Sequence, residues 1–441
     1  MILPGGAMWY LTPWFIFAGV AAMGAFSLPL IFEGQTLVFP GRDGLAASSI
    51  KPLTFRAENL NQLIYLIVNT LFITLFTRFL IKHGRLEDFG FALRIGIIVI
   101  SVFALLQYVP GTSSWLKENI LGTKAAISFS NQTFFGYKRI QGSFLEPSFL
   151  GQWVGAAAGA LMFSMWGRPV REIVFVGASY AMLIFSFSTT SYAILILGLI
   201  LVLMGRVMLV PRGHDFAKFF LALVAMLAVA AVVLPTLTFL RINPLWLDVF
   251  QSVTVEKSDT ISYRDRLTAN LQTWRILLDT FLLGAGLGSN RPSGLFHMIV
   301  STTGVLGGSL FVWFFWRQVL AGLNNALVVR RRIQDRRQAE KYFQNTVGTQ
   351  IFLVLVVLAA VFSVADLSQP ILVLAICVSI ATNVRVDAMA GIERKGKSRI
   401  QVVRQSAQPV LKPVVLRRGY PKVERGVQRR PTAGLRLRPR R

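Results

Sequence analysis

The 441-residue, 49.0 kDa chain is 54% hydrophobic but only 15% charged, and its 46 Lys+Arg against 20 Asp+Glu leave a net charge of +26. A soluble domain carries about 25% charged residues, so an ordinary water-soluble globule is excluded. Cys377 is the single cysteine, which rules out an intramolecular disulfide and Cys-rich zinc patterns; His83, His214 and His297 lack metal-pair spacing, so neither metal nor cofactor is expected.

Apolar runs of roughly 20 residues, enough to cross a hydrocarbon core about 30 Å thick, recur along the chain. They predict an all-α, polytopic bundle of about ten spans, at about 12–32, 60–80, 90–109, 148–165, 172–188, 191–209, 217–239, 295–320, 347–364 and 370–384. No Lys or Arg precedes Arg42, so the first span has no basic flank and reads poorly as a secretory signal. Four alternate connections are short and basic: 81–94 (Lys82, Arg85, Arg94), 166–171 (Arg168, Arg171), 206–218 (Arg206, Arg212, Lys218) and 321–346 (Arg330 to Arg332, Arg336, Arg337, Lys341). The positive-inside rule makes these cytoplasmic, and with ten spans both termini fall on that side.

The remaining connections face outward, at about 33–59, 110–147 and 240–294, and the latter two are too long merely to join neighbouring helices. The last carries an amphipathic stretch, Ser262 to Leu278, with Leu267, Leu271, Trp274 and Leu278 at helical spacing; it is expected on the membrane surface or over the bundle. Residues 1–385 thus form a transmembrane domain. From Arg385 onward the chain holds 17 Lys+Arg against 3 Asp+Glu, with five prolines and few large apolar clusters, so 386–441 reads as a disordered cytoplasmic tail. Such a tail is attracted to anionic lipids; nucleic acid is not an expected partner.

Candidate chemistry gathers on the outer side. The first long loop ends in Lys138-Arg139-Ile140-Gln141-Gly142-Ser143-Phe144-Leu145-Glu146-Pro147, placing a carboxylate beside two cations at a membrane boundary. Glu146 reads either as a helix N-terminal residue complementing the dipole or as a general base toward a hydroxyl. Ser186 to Ser191, including Ser188, either cap helix ends or line a pocket for a polar head group. The second loop supplies Arg264, Arg266, Arg275 and Arg291. Arg264 and Arg275 share a helical face and suit lipid phosphates. Arg266 and Arg291 are better placed for a substrate phosphate, which a guanidinium grips with two parallel hydrogen bonds. Gly284, Gly286 and Gly288 have no preceding strand and so are no dinucleotide fingerprint; they allow a tight break whose N–H groups can form an anion nest. His297, alone in an apolar run, reads first as a core residue.

In this order and on this side of the membrane, four elements resemble the O-antigen ligase and Wzy-type polymerase family of bacterial polysaccharide assembly. They are Arg139-Ile-Gln-Gly142-Ser-Phe144 with Glu146-Pro147, the SFSTTSY segment, Arg266 with Trp274 ahead of GAGLGS, and Gly304-Val-Leu-Gly307. The resemblance implies a metal-independent glycosyltransferase of GT-C type in the bacterial inner membrane. It would polymerise undecaprenyl-pyrophosphate-linked repeat units into exopolysaccharide or O-antigen at the outer face, alongside other polysaccharide assembly proteins. On this reading Arg266 and Glu146 are catalytic, and Lys138, Arg139, Arg264, Arg291 and Ser188 bind substrate. Ser293 stands where ligases of the family carry a His-Asn pair, which favours a polymerase over ligase-type transfer to another acceptor. A lipid-linked sugar transporter is the non-enzymatic alternative, disfavoured because the span interiors hold almost no acidic residue.

Overall fold

The computed structural model describes residues 5–40, 49–85, 87–107, 109, 133–134, 137–144, 146–164, 171–209, 261–363 and 366–406. Ten helices run through these segments: α1 (Gly5–Ile31), α2 (Ala57–His83), α3 (Asp88–Leu106), α4 (Pro147–Ser164), α5 (Arg171–Phe185), α6 (Thr189–Leu209), α7 (Ile261–Asp279), α8 (Leu295–Arg332), α9 (Arg336–Ser363) and α10 (Pro370–Ser406). Two small antiparallel hairpins accompany them. Leu37–Val38 (β1) pairs with Lys51–Pro52 (β2), Leu37 opposite Pro52, and Thr133–Phe134 (β3) pairs with Tyr137–Lys138 (β4), Thr133 opposite Lys138.

Helices stand at nine of the ten expected spans; the tenth, 217–239, lies outside the described residues, as do most of loop 110–147 and residues 240–260. Seven helices, α1, α2, α3, α6, α8, α9 and α10, are long and apolar enough to cross a membrane. The chain is therefore a multi-pass helical membrane bundle. The most apolar windows of α9 and α10 are 72% and 67% buried, against 17% for α2, so α9 and α10 form the centre and α2 turns Leu60, Ile64, Val68, Leu71 and Leu75 outward. In lipid an apolar outward face is the favourable one.

Close packing at the centre depends on small residues. α4 is short, rich in Gly and Ala, and buried nearly all round, against α9, α6 and α5. Its Gly155 and Gly159 leave room where a Cβ would come 2.5 Å from Ile194 Cγ2 and 2.6 Å from Leu355 Cδ1. Small residues spaced by four let transmembrane backbones approach, which matters where lipid tails remove the hydrophobic drive between helices.

The bundle has two chemically different ends. α8 runs down from a glycine-rich loop to Arg330, Arg331 and Arg332, and α9 returns. At the basic end Lys341 pairs with Glu87 at 2.6 Å, and Arg330 pairs with Glu340 at 3.2 Å while lying over the Phe343 ring. At the other end Gln152 of α4 donates to the Val356 carbonyl of α9, so the start of α4 stands level with the end of α9 and the start of α8.

Two expectations are sharpened. The helix α10 continues to Ser406, well inside the segment read as a disordered tail, because nothing in its sequence breaks a helix before Pro409. Residues 394–441 form a separate unit from residues 1–393, and past Ser406 they lie outside the described residues. The amphipathic stretch does form a helix, α7, but its apolar stripe faces away from the protein. Leu267, Leu271, Trp274 and Leu278 are exposed, while Ala269, Gln272, Thr273, Ile276 and Leu277 are buried. Arg264 and Arg275 share that exposed face, the pattern of a helix lying in a membrane interface.

Candidate functional site

Around Arg139, three separate stretches of chain are brought together. Its Nε donates to the Ser186 carbonyl at 3.2 Å and its Nη2 to the Phe187 carbonyl at 2.8 Å, which ties the end of the first long loop to the turn between α5 and α6. Phe187 takes a positive φ of 46°, aiming that carbonyl out of the helical path. The Gln107 side chain, at the end of α3, completes the clamp. Its Nε2 donates to the Arg139 carbonyl at 2.8 Å, and its Oε1 accepts from the N–H groups of Gln141 and Gly142 at 3.0 and 3.2 Å.

Burial lowers the Arg139 pKa from its ordinary value, opposed first by the negative charge of Glu146 and then by Tyr192. Glu146 sits one residue before α4, where its Oε2 accepts from Ser148 Oγ at 3.0 Å and its carbonyl from the N–H of Phe149. Here it can complement the dipole of α4 and also faces the loop cation, so both sequence readings survive. Behind it, Ser186 Oγ donates to the Leu183 carbonyl and lies 2.7 Å from Ser191 Oγ; both hydroxyls are buried. Ser188 is also buried, its carbonyl accepting from the N–H of Tyr192 in the first turn of α6. These serines hold the turn in place. Of Lys138 only the backbone, on β4, is described.

The glycine motifs explain one another. Gly304 interrupts α8 with φ 68° and ψ −171°, a conformation reserved for glycine. The break frees the Ser301 and Thr302 carbonyls, which accept from the N–H groups of Ala285 and Gly286 at 2.8 and 2.9 Å; in exchange the Val305 N–H donates to the Leu282 carbonyl at 3.0 Å. Gly284, with φ 87°, passes so close that a Cβ on it would lie 2.6 Å from the Gly304 nitrogen. This interlock corrects the anion-nest reading: the N–H groups of Gly284, Ala285, Gly286 and Ser289 are already donated within the protein.

Side chains extend the interlock to the rest of that end. Asn59 Nδ2 donates to the Leu287 carbonyl and Ser289 Oγ at 2.8 and 2.7 Å, and Asn290 accepts from the Phe39 N–H while donating to Ser301 Oγ. Gln272 donates to the Leu37 carbonyl and Thr36 donates to Asp279 Oδ2 at 2.6 Å, which seats α7 on the first hairpin.

The predicted site residues therefore fall into two groups at the same end of the bundle. Arg139, Glu146 and Ser188 lie together at the starts of α4 and α6. Arg264 and Arg266 are on α7, and Arg291 follows the glycine loop; α7 packs on α8 and β1. Arg264 and Arg291 are exposed, whereas Arg266 is half-buried on a different side of α7. At the same end, near the starts of α4, α8 and α10, lie Gln152 and Gln369, which the sequence reading passed over, and His297. Gln152 Nε2 donates to Gln369 Oε1 at 3.0 Å, but Gln152 Oε1, Gln369 Nε2 and the nearby His297 Nδ1 are buried without a hydrogen-bond partner. Gln107 was legible as the last polar residue of its span, but Gln152 and Gln369 carry no local signal that pairs them. Among the described residues no cluster of three or more His, Cys, Asp or Glu side chains could hold a metal ion.

Comparison with protein-family models and with curated proteins finds no match to this chain.

Proposed function

We propose that the chain is a membrane glycosyltransferase of GT-C type that polymerises undecaprenyl-pyrophosphate-linked repeat units into exopolysaccharide or O-antigen. The observation that supports this reading is that Glu146 with Arg139, and the half-buried Arg266 in a second group, both lie at the end of the bundle opposite the basic loops. By the positive-inside rule that end faces outward from the bacterial inner membrane and both chain termini are cytoplasmic. The count of about ten spans read from the sequence completes the proposed topology.

In the proposed reaction the acceptor sugar hydroxyl gives its proton to the Glu146 carboxylate as its oxygen attacks the anomeric carbon of the donor. The bond from that carbon to the pyrophosphate oxygen breaks, and the lipid pyrophosphate leaves with the electron pair. Arg266 and Arg291 offset its charge, since guanidinium groups match phosphate oxygens in geometry and sign. Arg139 holds the α5–α6 turn with two of its donors and supplies positive charge beside Glu146. Arg264, on the exposed face of α7 beside the leucine stripe, suits the lipid phosphates that surround the substrate.

The test is the size distribution of lipid-linked glycans and finished polysaccharide in a strain lacking the protein, complemented with wild type or Arg266→Ala. Single repeats that accumulate and are cleared by wild type alone are the expected result. Long lipid-linked chains would instead indicate ligase-type transfer, and unchanged glycans a transporter.

A further inference from the structure

Far from these residues, α1, α8 and Asp387 of α10 border an open cavity of about 870 Å³ lined in part by Trp9, Tyr10, Trp313, Trp316 and Arg317. Its level in the membrane follows from two chain segments independently. Trp9 lies in the first turns of α1, and Arg317 lies 22 residues into α8, roughly 30 Å along it at 1.5 Å per residue. Tryptophan collects where hydrocarbon meets head groups, so three indoles at this height mark the membrane interface at the basic end.

The arrangement departs from an ordinary aromatic belt. A belt arginine extends outward to lipid phosphates, whereas Arg317 lies flat, its guanidinium carbon 3.5 Å from the centre of the Trp9 ring and 5.6 Å from that of Trp313. Its Nε is buried and makes no hydrogen bond. Among the described residues neither Arg317 nor Asp387 belongs to an ion pair, although both line this one cavity. Indole walls already occupied by a guanidinium do not favour a second bare cation, so an anion belongs at Arg317. Asp387, an exposed carboxylate bordering the same cavity, can accept hydrogen bonds from a cationic group held there. The indoles, each about half exposed, offer flat apolar surface for the acyl chains of a lipid.

We propose that this cavity binds one phospholipid whose head group carries a phosphodiester and a primary ammonium, the phosphate on Arg317 and the ammonium toward Asp387. A guanidinium supplies two parallel donors to phosphate, and a primary ammonium donates hydrogen bonds to a carboxylate, which a trimethylammonium cannot. The acyl chains run along Trp313 and Trp316 toward the hydrocarbon core. The site stands on its own geometry and does not depend on the glycosyl-transfer reading.

Native mass spectrometry of the delipidated full-length protein in detergent tests it, with titration by phosphoethanolamine, phosphoglycerol and phosphocholine lipids of identical acyl chains. Wild type is expected to retain one phosphoethanolamine lipid about tenfold more tightly than the phosphocholine lipid. Arg317→Gln loses most of that affinity, and Asp387→Asn binds the two lipids alike. Equal binding of the phosphocholine or phosphoglycerol lipid by wild type overturns the assignment, as does an unchanged Arg317→Gln. Displacement of the lipid by soluble phosphoethanolamine at the same concentration would show that the head group alone, not a lipid, is the ligand. Should Arg317→Gln fail to fold, the lipid preference of wild type and its loss in Asp387→Asn decide the matter.

Discussion

Two buried polar layers cross this bundle, and they are built on opposite rules. Toward the basic end, Asn383 donates to the Gln318 carbonyl and Oε1 and accepts from Gln350 Nε2; Gln350 in turn accepts from Ser379, and Gln318 donates to the Tyr10 carbonyl. No side-chain nitrogen or oxygen of Gln318, Gln350 or Asn383 is left unpartnered. Toward the glycine-loop end, by contrast, Gln152, Gln369 and His297 each bury a polar atom that has no partner. A satisfied network fixes how α1, α8, α9 and α10 register against one another, whereas unpaired buried groups carry a desolvation penalty that structure alone does not repay. The difference lies between these two clusters and not between the two ends of the bundle, since Arg317, Asn345 and Arg385 toward the basic end also bury an unpartnered nitrogen.

The comparison can be broken or sharpened by substitution. The largest effect is expected from Gly304→Val, since the residue combines a left-handed φ with backbone contacts to Leu282 and Leu283. A penalty of roughly 3 kcal/mol or more should leave little folded protein in the membrane, as read by detergent-extracted yield and size-exclusion profile. Glu146→Gln comes next. It keeps the hydrogen bond to Ser148 in reach and the fold intact, yet polymer formation should fall by about a hundredfold or more if the carboxylate is the base. Near-normal chain lengths with normal protein levels would remove that role.

Asn383→Leu strips the satisfied network of its hub and orphans Gln350 and Gln318. Thermal unfolding in detergent should report a loss of about 2 kcal/mol, with the activity per folded molecule unchanged. The smallest change is expected from Gln152→Leu, which gives up two hydrogen bonds but also removes a buried oxygen that had none. Its effect on stability should stay at about 1 kcal/mol, since Gln369 Oε1 loses its donor while an oxygen that had none is removed. Equal losses for Asn383→Leu and Gln152→Leu would erase the distinction between the two layers.

Particular elements show how far the sequence could be read. The positions of nine helices followed from apolar runs, because in lipid each span must satisfy its own backbone and so announces itself locally. The amphipathic pattern of α7 gave a helix correctly, but not which way its stripe faced. In water that stripe would turn inward; beside a membrane the solvent for leucine is outside, and Leu267, Leu271 and Leu278 lie exposed. The helical continuation of α10 past residue 386 was missed because the prolines, sparse apolar residues and charge of 386–441 were read as one segment, although every one of those prolines lies beyond Ser406.

The candidate site was legible only as a set of residue types at one surface. Arg139 and Glu146, close in sequence, could be paired by eye, and they do share an environment. The reading that the glycine break can form an anion nest is weakened, since the N–H groups of Ala285 and Gly286 go to carbonyls freed by the helix break at Gly304, near in the fold but not adjacent in the chain, and that of Gly284 goes to the Thr280 hydroxyl.

By itself, then, the sequence determined that this is a multi-span helical membrane protein, where its apolar spans lie and which connections are basic, because hydropathy and charge act residue by residue along the chain. It did not determine how far the helices run past those spans: α8 reaches Arg332 and α9 starts at Arg336, inside the connection expected at 321–346. Only the tertiary structure decided that two glycine motifs lock α8 to its preceding loop and that Gln107 clamps Arg139. It also decided that Asn383 joins Gln318 to Gln350, and that Trp9 meets Arg317. Each is a pairing between distant segments, fixed by the requirement that polar groups removed from water find one another in space.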